Sequence, residues 1–410
     1  MMREDVNVGR QFNNARREAM QFHPPFSAIV IGAGIVGAST AYFLAKRGVA
    51  VQLIDASAPA SEATGAADGA VSVASKRPGP MMAAALSGVR LYATLAKEGV
   101  FAGAFKHRST FIVAASDEEC AVLEAHSAAL ATVGVRVDTL SAANLHQRFP
   151  VLSLKARLGV EVHDDGHAIG YQIVHRLLTA AQITVDRNTK VDGLAIAKGG
   201  RSVTGVSTRR GTIEADAVVI AAGTGSAEFL NAAGVLTPRK GQLLVTERAP
   251  RLNAAMPGAI MSGRYLLSKG TQKMANSTPA RGLGLVIDPL VTGQFLIGGT
   301  REEFGDRQSN DIDAVSRILA EAVALVPGLA SLRLLRSFSG LRTAVVDGLP
   351  LVGRMPGFDN AYIATGFEGD GICLGPVTGK SIVQLICGEA PEVDLTPFDP
   401  SRFERSGEKL

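Results

Sequence analysis

The sequence of 410 residues has few cysteines, little net charge and no long apolar run. Its three cysteines, Cys120, Cys373 and Cys387, lie far apart without a C-x-x-C pair, which excludes an iron–sulfur or zinc site built by this chain alone and favours a reducing compartment. The formal net charge is only +4 and no run of five Lys or Arg occurs, so a nucleic-acid-binding protein is excluded. No apolar stretch reaches the ~20 residues of a membrane helix. We therefore expect a cytoplasmic protein, with at most peripheral contact on the inner face of the cell membrane.

The first 25 residues are polar and include Arg16 and Arg17. No apolar segment follows these arginines, so the segment is not a secretory or twin-arginine signal, and we predict a flexible extension over residues 1–25. Glycine is abundant, with 45 residues, but it shows no fixed period, which excludes a collagen-like chain.

The segment FSAIVIGAGIVGASTAYFLAKRGVAVQLIDAS, residues 26–57, carries the G-x-G-x-x-G spacing between a predicted strand and a predicted helix. Gly32 makes the tight turn, Gly34 lets the backbone approach a pyrophosphate, and Gly37 lets the helix pack on the sheet. The N–H groups and the dipole at the start of the helix then hold the phosphates. The alternative is a glycine-rich turn in an ordinary α/β sheet, but the strand, helix and spacing together favour a dinucleotide.

The identity of the dinucleotide follows from residues beyond this turn. Asp55 ends the next predicted strand, where a carboxylate accepts hydrogen bonds from a ribose and repels a ribose phosphate, which disfavours NADP. Three further turns are rich in small residues. One occurs at 63–69, and the other two, AAGTGS at 221–226 and ATGFEGDG at 364–371, come with predicted buried strands. If distant segments converge on one ligand, that ligand is long, which favours FAD over NAD.

Seven stretches carry a resemblance: VIGAGIVGASTAYFLAKRGVAVQLID, ATGAADG, VVIAAGTGS, PRKGQLLVTE, GGTREEFGD, SGLRTAVVDGLPLVGR and ATGFEGDGICLGPVTGK. They occur in the order seen in the D-amino acid oxidase-type flavoproteins, which include glycine oxidase, sarcosine oxidase and D-amino acid dehydrogenase. The sequence resembles that family over residues 26–388. A narrower resemblance, carried by SKRPGPMMAAALSGVRLY and EGDGI, is to the β subunits of opine oxidases and D-hydroxyproline dehydrogenases and to hydrogen cyanide synthase.

The resemblance implies an α/β fold in which a Rossmann-like FAD-binding domain is interleaved with a mixed-sheet α+β substrate domain. The predicted FAD-binding domain comprises residues 26–110, 166–240 and 336–410, the last including a C-terminal tail, and the substrate domain comprises residues 111–165 and 241–335. Val191 matches the position that contacts the adenine, and Ala222 and Gly223 match positions beside the flavin nucleotide. The complete predicted cofactor set is Gly32, Gly34, Ile35, Val36, Gly37, Asp55, Ala56, Ser57, Ser61, Thr64, Ala66, Ala67, Lys76, Arg77, Val191, Ala222, Gly223, Gly366, Gly369, Asp370, Gly371 and Ile372.

Arg342, in SGLRTAVVDGLP, is the main candidate for substrate binding. It lies in an apolar, glycine-rich stretch, where an unpaired buried charge costs on the order of several kcal/mol and needs a carboxylate partner. A planar guanidinium can hold a carboxylate with two parallel hydrogen bonds. It also matches the arginine that holds the substrate carboxylate in glycine oxidase-like proteins. The alternative is a structural ion pair with Asp347, and Thr343 departs from the proline usual in the family.

Three further residues are assigned to the catalytic site. Phe367 replaces the histidine of many relatives and leaves an apolar face. Glu368 is predicted either to hold loop backbone or to meet the cationic end of a substrate, and the same alternatives apply to Asp370. Tyr265, next to Arg264, is predicted to line the substrate side or to pack in the core.

Lys76 and Arg77 follow the turn at 63–69, and two interpretations are open. They form either a solvated basic pair or an anion-binding site at a subunit interface, since related β subunits hold an additional FMN between chains. His163 and His167, with Asp164 and Asp165, suggest a metal site, but a turn explains them better and we predict no metal.

The resemblance implies FAD-dependent oxidation of the C–N bond of a small amino acid, by hydride transfer to the flavin to give an imine. The expected substrate is a secondary amine such as an opine or D-hydroxyproline. The chain would be the catalytic β subunit of a hetero-oligomer with a larger α subunit, with FMN at an interface and any [2Fe-2S] cluster in the partner. The alternatives are a glycine, sarcosine or D-amino acid oxidase that uses oxygen directly, and a non-catalytic FAD-binding assembly subunit.

Overall fold

A computed structural model describes residues 26–230, 234–270, 281–303, 306–307 and 309–405. The predictions for residues 1–25 lie outside these ranges. The strands are β1 (Ser27–Ile31), β2 (Ala50–Ile54), β3 (Ala70–Val71), β4 (Phe105–His107), β5 (Thr110–Ala114), β6 (Val137–Ser141), β7 (Leu158–Val162), β8 (Gly166–Ala168), β9 (Val185–Asp186), β10 (Val191–Ile196), β11 (Val203–Thr208), β12 (Gly211–Glu214), β13 (Ala217–Ile220), β14 (Leu236–Thr246), β15 (Ala259–Ser262), β16 (Arg281–Pro289), β17 (Phe295–Glu302), β18 (Leu334–Val345), β19 (Leu351–Arg354) and β20 (Ala361–Thr365). The α-helices are α1 (Ile35–Ala45), α2 (Pro80–Lys97), α3 (Asp117–Thr132), α4 (Ala142–Arg148), α5 (Gly170–Ala180), α6 (Pro250–Ala254), α7 (Arg264–Gly270), α8 (Ile312–Leu325), α9 (Gly371–Ile386) and α10 (Arg402–Arg405).

A six-stranded sheet has the order β19-β20-β13-β1-β2-β9 and is parallel except for the edge strand β19. Its two faces are both buried: Ala28 and Val30 join one hydrophobic cluster, while Ile29 and Ile31 join another. Burial on both faces explains why these strands are continuous apolar runs in the sequence. The three buried strands that the sequence predicts are the neighbours β1, β13 and β20, so the α/β fold class is confirmed.

Helix α1 packs on this sheet and on helix α9, and its residues from Ile35 to Leu44 are all buried. The two helices approach closely because two glycines of α9 face α1. A Cβ on Gly375 would lie 2.9 Å from the Ile35 side chain, and one on Gly379 would lie 2.7 Å from Ser39. This packing fixes the N-terminus of α9 beside that of α1.

An eight-stranded mixed sheet has the order β18-β14-β17-β16-β15-β5-β7-β6. Helix α8 packs on one face of it, through Ala314, Ile318, Ala322 and Leu325, of which Ile318, Ala322 and Leu325 join a cluster that includes Leu244 and Ile297. The long strands β14 and β18 pair in antiparallel register with Gly241 opposite Gly340. The opposite face of this end of the sheet forms the cavity described below.

Three elements differ between the sequence prediction and the structure. The apolar run at residues 265–267 predicts a strand, but these residues lie in helix α7, because a three-residue apolar run does not distinguish a strand from a helix turn. Strand β18 is not predicted from the sequence, because its alternation is broken by Ser337, Ser339 and Gly340. The sequence predicts a helix from about Gly375, whereas helix α9 begins four residues earlier, at Gly371.

The division into interleaved domains stays a prediction, but three of its boundaries need correction. The boundaries after residues 110, 240 and 335 fall inside β5, β14 and β18. All three strands belong wholly to the eight-stranded sheet, so Arg342 lies in the sheet that the prediction assigns to the substrate domain, although the predicted FAD-binding segment begins at residue 336. In the described part of the chain, no helix is both long and apolar enough to cross a membrane.

Candidate active site

The turn between β1 and α1 has the geometry that its glycines predict. Gly32 has a φ of +99°, and a Cβ there would lie 2.4 Å from the carbonyl oxygen of Ala221. A Cβ on Gly37 would lie 1.8 Å from the carbonyl oxygen of Gly32. Gly34 is the residue before the helix and supplies no capping side chain, so the first N–H groups of α1 lack intrahelical acceptors.

Asp55 and Thr64 hold this turn from two other segments. The Asp55 carboxylate accepts hydrogen bonds from the backbone N–H groups of Ala33 at 2.7 Å and Ser57 at 2.8 Å. The Thr64 hydroxyl accepts one from the N–H of Ile35 at 3.0 Å. The segment that follows β2 therefore closes over the start of α1.

The ends of β13 and β20 supply two more glycines with left-handed backbone, Gly223 with φ +57° and Gly366 with φ +85°. The Thr365 hydroxyl donates a hydrogen bond to the carbonyl oxygen of Gly223 at 3.0 Å, which joins the two strand ends. These segments surround one long cleft, whose lining includes Ile31, Gly32, Gly34, Ile35, Val36, Asp55, Ala56, Ser57, Ser61, Thr64, Val191, Ala222, Gly223, Thr343, Gly366, Phe367, Glu368 and Gly371.

A second space adjoins the long cleft, and we call it the glycine-floored cavity. Its floor is formed by Gly241, Gly284, Gly299 and Gly340, which lie on the neighbouring strands β14, β16, β17 and β18. Successive side chains on a strand point to opposite faces, so these glycines leave a hollow on one face of the sheet. The two spaces share Ile35, Ala63, Thr64, Leu341, Glu368 and Gly371.

Arg342 is buried and lines the glycine-floored cavity. Its Nη1 donates a hydrogen bond to the carbonyl oxygen of Thr300 at 3.0 Å, and within the described ranges it forms no ion pair. Burial lowers the pKa of Arg342, although Glu368 and Asp68 act in the opposite sense. The alternative pairing with Asp347 is wrong, because that carboxylate binds Arg402 with a contact of 2.7 Å.

Gly241 makes the room that Arg342 needs. The two strands place Arg239 opposite Arg342, and Gly241 follows two residues later on the same face. A Cβ on Gly241 would lie 2.6 Å from Nη2 of Arg342. The position of the guanidinium therefore depends on a missing side chain on the neighbouring strand.

Glu368 stands where the two spaces meet, in a left-handed backbone conformation with φ +47°. Its N–H donates to the carbonyl oxygen of Thr343 at 2.9 Å. Its carboxylate accepts a hydrogen bond from Arg239 at 2.8 Å and lies 3.5 Å from Nη2 of Arg301. Burial raises the pKa of Glu368, but Arg301 and Arg239 outweigh burial, so the pKa lies below its usual value and the group is a carboxylate.

Tyr265 lines the glycine-floored cavity together with Arg301. The guanidinium of Arg301 stacks 5.1 Å from the centre of the Tyr265 ring, and Nη2 donates to the Tyr265 hydroxyl at 3.1 Å. A Cβ on Gly284 would lie 2.5 Å from that ring, so this glycine admits the tyrosine. Arg264 points away and pairs with Glu321 at 3.0 Å.

Comparison with known proteins identifies the family. The family model described as DAO, FAD dependent oxidoreductase, matches residues 27–385. The chain belongs to this family of FAD-dependent oxidoreductases. Its expected resemblance to D-amino acid oxidase-type flavoproteins is thereby confirmed.

Three similar proteins match over nearly the whole length of this FAD-dependent oxidoreductase. YurR of Bacillus subtilis, an uncharacterized oxidoreductase, is 28% identical, with 92% of this chain and 98% of YurR covered. The hydrogen cyanide synthase subunit HcnC of Pseudomonas protegens is 28% identical, with 92% and 96% covered. Glycine oxidase of Geobacillus kaustophilus is 26% identical, with 92% and 97% covered. The crystal structure of that glycine oxidase superposes with a TM-score of 0.79 at 24% identity, over 92% of this chain and 98% of the other.

The long cleft of the FAD-dependent oxidoreductase fits its cofactor. Gly32 leaves no space for a side chain at the turn, and the start of α1 presents backbone N–H groups for a pyrophosphate. Most predicted cofactor residues line this cleft, and Ala66, Ala67, Gly369 and Ile372 line the glycine-floored cavity instead. Gly37, Lys76, Arg77 and Asp370 line neither space.

Lys76 and Asp370 require a correction. Lys76 is buried, with a side chain 7% exposed, and its ammonium donates to the Asp370 carboxylate at 2.7 Å and to the carbonyl oxygen of Ser72 at 2.9 Å. It is therefore neither a solvated residue nor available to a phosphate. Asp370 is occupied by this ion pair at the residue that precedes α9, rather than by cofactor or substrate. Arg77 is exposed, and its role stays a prediction.

The four residues of the suggested metal site do not come together. Asp164 pairs with Arg136 at 2.6 Å, and Asp165 accepts hydrogen bonds from the hydroxyl of Ser72 and the N–H of Val73. His163 instead lies 2.8 Å from Asp138 and 3.6 Å from Glu161, a group whose ligand atoms are close enough to hold a metal ion. Glu161 already binds Ser109 at 2.7 Å and Arg148 at 2.9 Å.

Three residues at the glycine-floored cavity are not predicted from the sequence: Arg301 and Asp68, which line it, and Arg239, which pairs with Glu368 beside it. The segment GGTREEFGD contains a spacing that points to Arg301. Arg301 follows Gly299 by two residues, so on a strand both lie on the same face of the sheet. Whether that face is the one with the cavity depends on the pairing of β17 with β14, which the sequence does not give.

Proposed function

We propose that the chain oxidises the C–N bond of a small amino acid whose carboxylate is bound by Arg342. The observation that carries this proposal is a buried guanidinium that has no carboxylate ion-pair partner among the described residues and lines a cavity that shares six residues with the FAD cleft. A buried cation of this kind is stabilised by an anionic ligand. A carboxylate bound at Arg342 would place the rest of the substrate toward the shared residues.

The substrate we favour is a secondary amine, such as an opine or D-hydroxyproline. FAD held in the long cleft, which Gly32, Gly34 and Asp55 help to line, would supply a two-electron oxidant; the amine would lose a hydride from the carbon beside the nitrogen and a proton from the nitrogen, and water would hydrolyse the resulting imine to a carbonyl compound and an amine. The protein orients the substrate and keeps water away. Leu243 and Val286 provide an apolar wall of the cavity, and Arg342 fixes the substrate carboxylate. Glu368 is ionised and paired with arginines, so it is not a proton donor at neutral pH.

The assembly we favour is a hetero-oligomer in which this chain is the catalytic β subunit beside a larger α subunit. Support comes from the similarity to HcnC, which is a subunit of hydrogen cyanide synthase. An FMN at an interface and a [2Fe-2S] cluster in the partner belong to the same proposal, and so does a cytoplasmic location with peripheral membrane contact. With Lys76 buried, an FMN phosphate would have to rely on Arg77 and on partner residues.

Anaerobic mixing of the FAD-loaded protein with candidate substrates tests the chemistry. We expect loss of flavin absorbance with secondary amines such as sarcosine, D-hydroxyproline and opines, and slower loss with glycine and D-alanine. Reduction by primary amines alone would contradict the preference for secondary amines. An oxidase that uses oxygen directly would then reoxidise rapidly in air without a partner.

The variant Arg342→Gln distinguishes the catalytic subunit from a non-catalytic assembly subunit. We expect it to retain FAD and to lose most of the reduction by amino acids, because the carboxylate loses its bidentate partner. The matched control is Arg402→Gln, whose side chain pairs with Asp347 on the surface and lines neither space. If the complex turns over equally well with Arg342→Gln, the assembly role is the better explanation.

A further inference from the structure

The glycine-floored cavity contains two guanidinium groups rather than one. Arg342 extends from β18 and Arg301 from β17, and strand β14 lies between these strands. Adjacent strands are ~4.8 Å apart, so the two backbones are separated by roughly 10 Å across the floor of glycines. Both side chains reach into the same space, from opposite sides of Gly241.

Arg301 is fixed in place before any ligand binds. Its guanidinium is stacked on Tyr265, donates to the Tyr265 hydroxyl at 3.1 Å, and has a side chain only 12% exposed. A guanidinium has five N–H donors, and the tyrosine hydroxyl accepts one of them. A cation held in this way loses little conformational entropy when it binds an anion.

Among the described residues, no acid makes a short ion pair with Arg301. Glu368 is 3.5 Å from Arg301, but its short contact, 2.8 Å, is to Arg239. Arg239 in turn binds Glu303 at 2.9 Å. Asp68 also lines the cavity, where its carboxylate accepts a hydrogen bond from the N–H of Ala70 at 3.1 Å.

The lining holds two guanidiniums, Arg301 and Arg342, and two acids, Glu368 and Asp68, so the placement of the guanidinium donors rather than a net charge suits a ligand with two carboxylates. One carboxylate balances Arg342, whereas Arg301 keeps a pairing with Glu368 that is long for a hydrogen bond. Arg301 and Arg342 also repel each other, since Arg301 is one of the groups that lower the pKa of Arg342. A second carboxylate on the ligand would relieve this repulsion.

We propose that the substrate is an amino acid with a second carboxylate, and that Arg301 binds this second carboxylate while Arg342 binds the first. The inference rests on the proposed function, because it concerns the same cavity and the same reaction. It narrows the substrate to imino diacids and to dicarboxylic opines, in which a nitrogen joins two carboxylate-bearing arms. Arg301 is then the residue that determines specificity.

Three ethers test the binding without any oxidation. Diglycolate carries two carboxylates, its monoamide has nearly the same shape with one carboxylate, and methoxyacetate lacks the second arm. None contains an amine, so each can be titrated into the FAD-loaded protein while the flavin absorbance and the thermal midpoint report binding. A charged hydrogen-bonded pair contributes ~1.5–3 kcal/mol, so we expect diglycolate to bind ~10- to 100-fold more tightly than its monoamide.

The variants assign that preference to one residue. Arg301→Gln is expected to bring the diglycolate-to-monoamide ratio near one, and Arg301→Lys to keep part of it, because the charge remains without the planar fork. The matched control is Arg336→Gln, since Arg336 also stacks 5.1 Å from an aromatic ring, that of Phe338, but is exposed and lines neither space. Arg342→Gln is expected to weaken all three ligands.

The possible results separate this inference from the proposed function. A wild-type protein that binds diglycolate and its monoamide equally, or an unchanged ratio in both Arg301 variants, would overturn the dicarboxylate inference and leave amino acid oxidation standing. Failure of every amine to reduce the flavin, with the ratio intact, would overturn the proposed reaction and leave the dicarboxylate site. Absence of binding by all three ethers would refute the second-carboxylate site.

Discussion

We predict that the two partners of the ion pair between Lys76 and Asp370 contribute unequally to stability when each is substituted. The Lys76 side chain is 7% exposed, whereas that of Asp370 is 32% exposed. Burial would lower the pKa of Lys76, but Asp370 outweighs burial and the pKa lies above its ordinary value, so the ammonium stays charged. Removing either charge takes this ion pair away from the other residue, and the cost depends on how well water reaches the charge that remains.

Asp370→Asn leaves the Lys76 ammonium buried without the carboxylate. Of its two hydrogen bonds described above, the one to the carbonyl oxygen of Ser72 remains. Removing one partner of a buried pair costs about 3–5 kcal/mol. Asp165, which also attracts Lys76, is expected to hold the cost near the lower end of that range. With ~2.1 cal/mol/K per residue of unfolding entropy, a cost of about 3 kcal/mol would lower the Tm of the chain of 410 residues by about 3–4 °C.

Lys76→Met leaves instead a carboxylate that is about one-third exposed, and methionine keeps the apolar stem. Water can solvate Asp370 in part, so we expect about half the loss seen with Asp370→Asn. The double variant Lys76→Met/Asp370→Asn has no unpaired charge and should be more stable than Asp370→Asn alone.

Differential scanning calorimetry of the FAD-loaded variants measures these shifts, and the flavin content of each sample controls for cofactor loss. The reasoning is refuted if Lys76→Met is as damaging as Asp370→Asn. Simple additivity of the two losses in the double variant would also contradict it, because independent residues add and an ion pair does not.

Three other predictions concern the cavity and the buried acid. Arg342→Gln should weaken carboxylate binding by ~10-fold or more, measured by titrating glycolate or methoxyacetate against flavin absorbance; unchanged binding would show that another group holds the carboxylate. Gly241→Ala should have a similar effect, because its Cβ would lie 2.6 Å from the guanidinium of Arg342, whereas Gly282→Ala, with its nearest atom at 3.6 Å, should bind normally; equal effects would contradict the steric argument. Burial raises the pKa of Asp165 to about 6, above the ~4 of an unfolded carboxyl. Its stabilising contribution is therefore complete below about pH 4 and is lost as pH rises through about 6. Between these pH values the Tm of Asp165→Asn should fall less than the Tm of the wild type. Parallel profiles of Tm against pH would argue against the raised pKa of Asp165.

The sequence predicts much of the fold, and the reason is physical. Strands β1, β13 and β20 are buried on both faces, so their residues must be continuously apolar and can be recognised without knowing their neighbours. Gly32 and Gly37 are required by the backbone turn itself, because a Cβ at either position would clash with backbone atoms, so local spacing is enough to find them. At residues 265–267 the sequence does not decide the secondary structure, because three apolar residues fit either a strand or a helix turn.

Some features of the candidate site can likewise be predicted from local sequence, and others cannot. Arg342 is recognisable because an arginine in an apolar stretch needs an anion wherever the chain places it. Which acid or carbonyl lies near a given charge depends instead on contacts between distant segments. Lys76 and Asp370 are 294 positions apart, and Glu368 meets Arg239 across 129 positions.

By itself, the sequence determined a dinucleotide-binding α/β sheet, a long cofactor and a cationic residue in an apolar stretch that we propose binds a carboxylate, because these follow from local spacing and from the cost of burying charge. The tertiary structure alone decided that Lys76 is a buried partner of Asp370 and that Arg301 and Arg342 face one cavity. Strand order and register set those distances, and neither is encoded in any short segment of the chain.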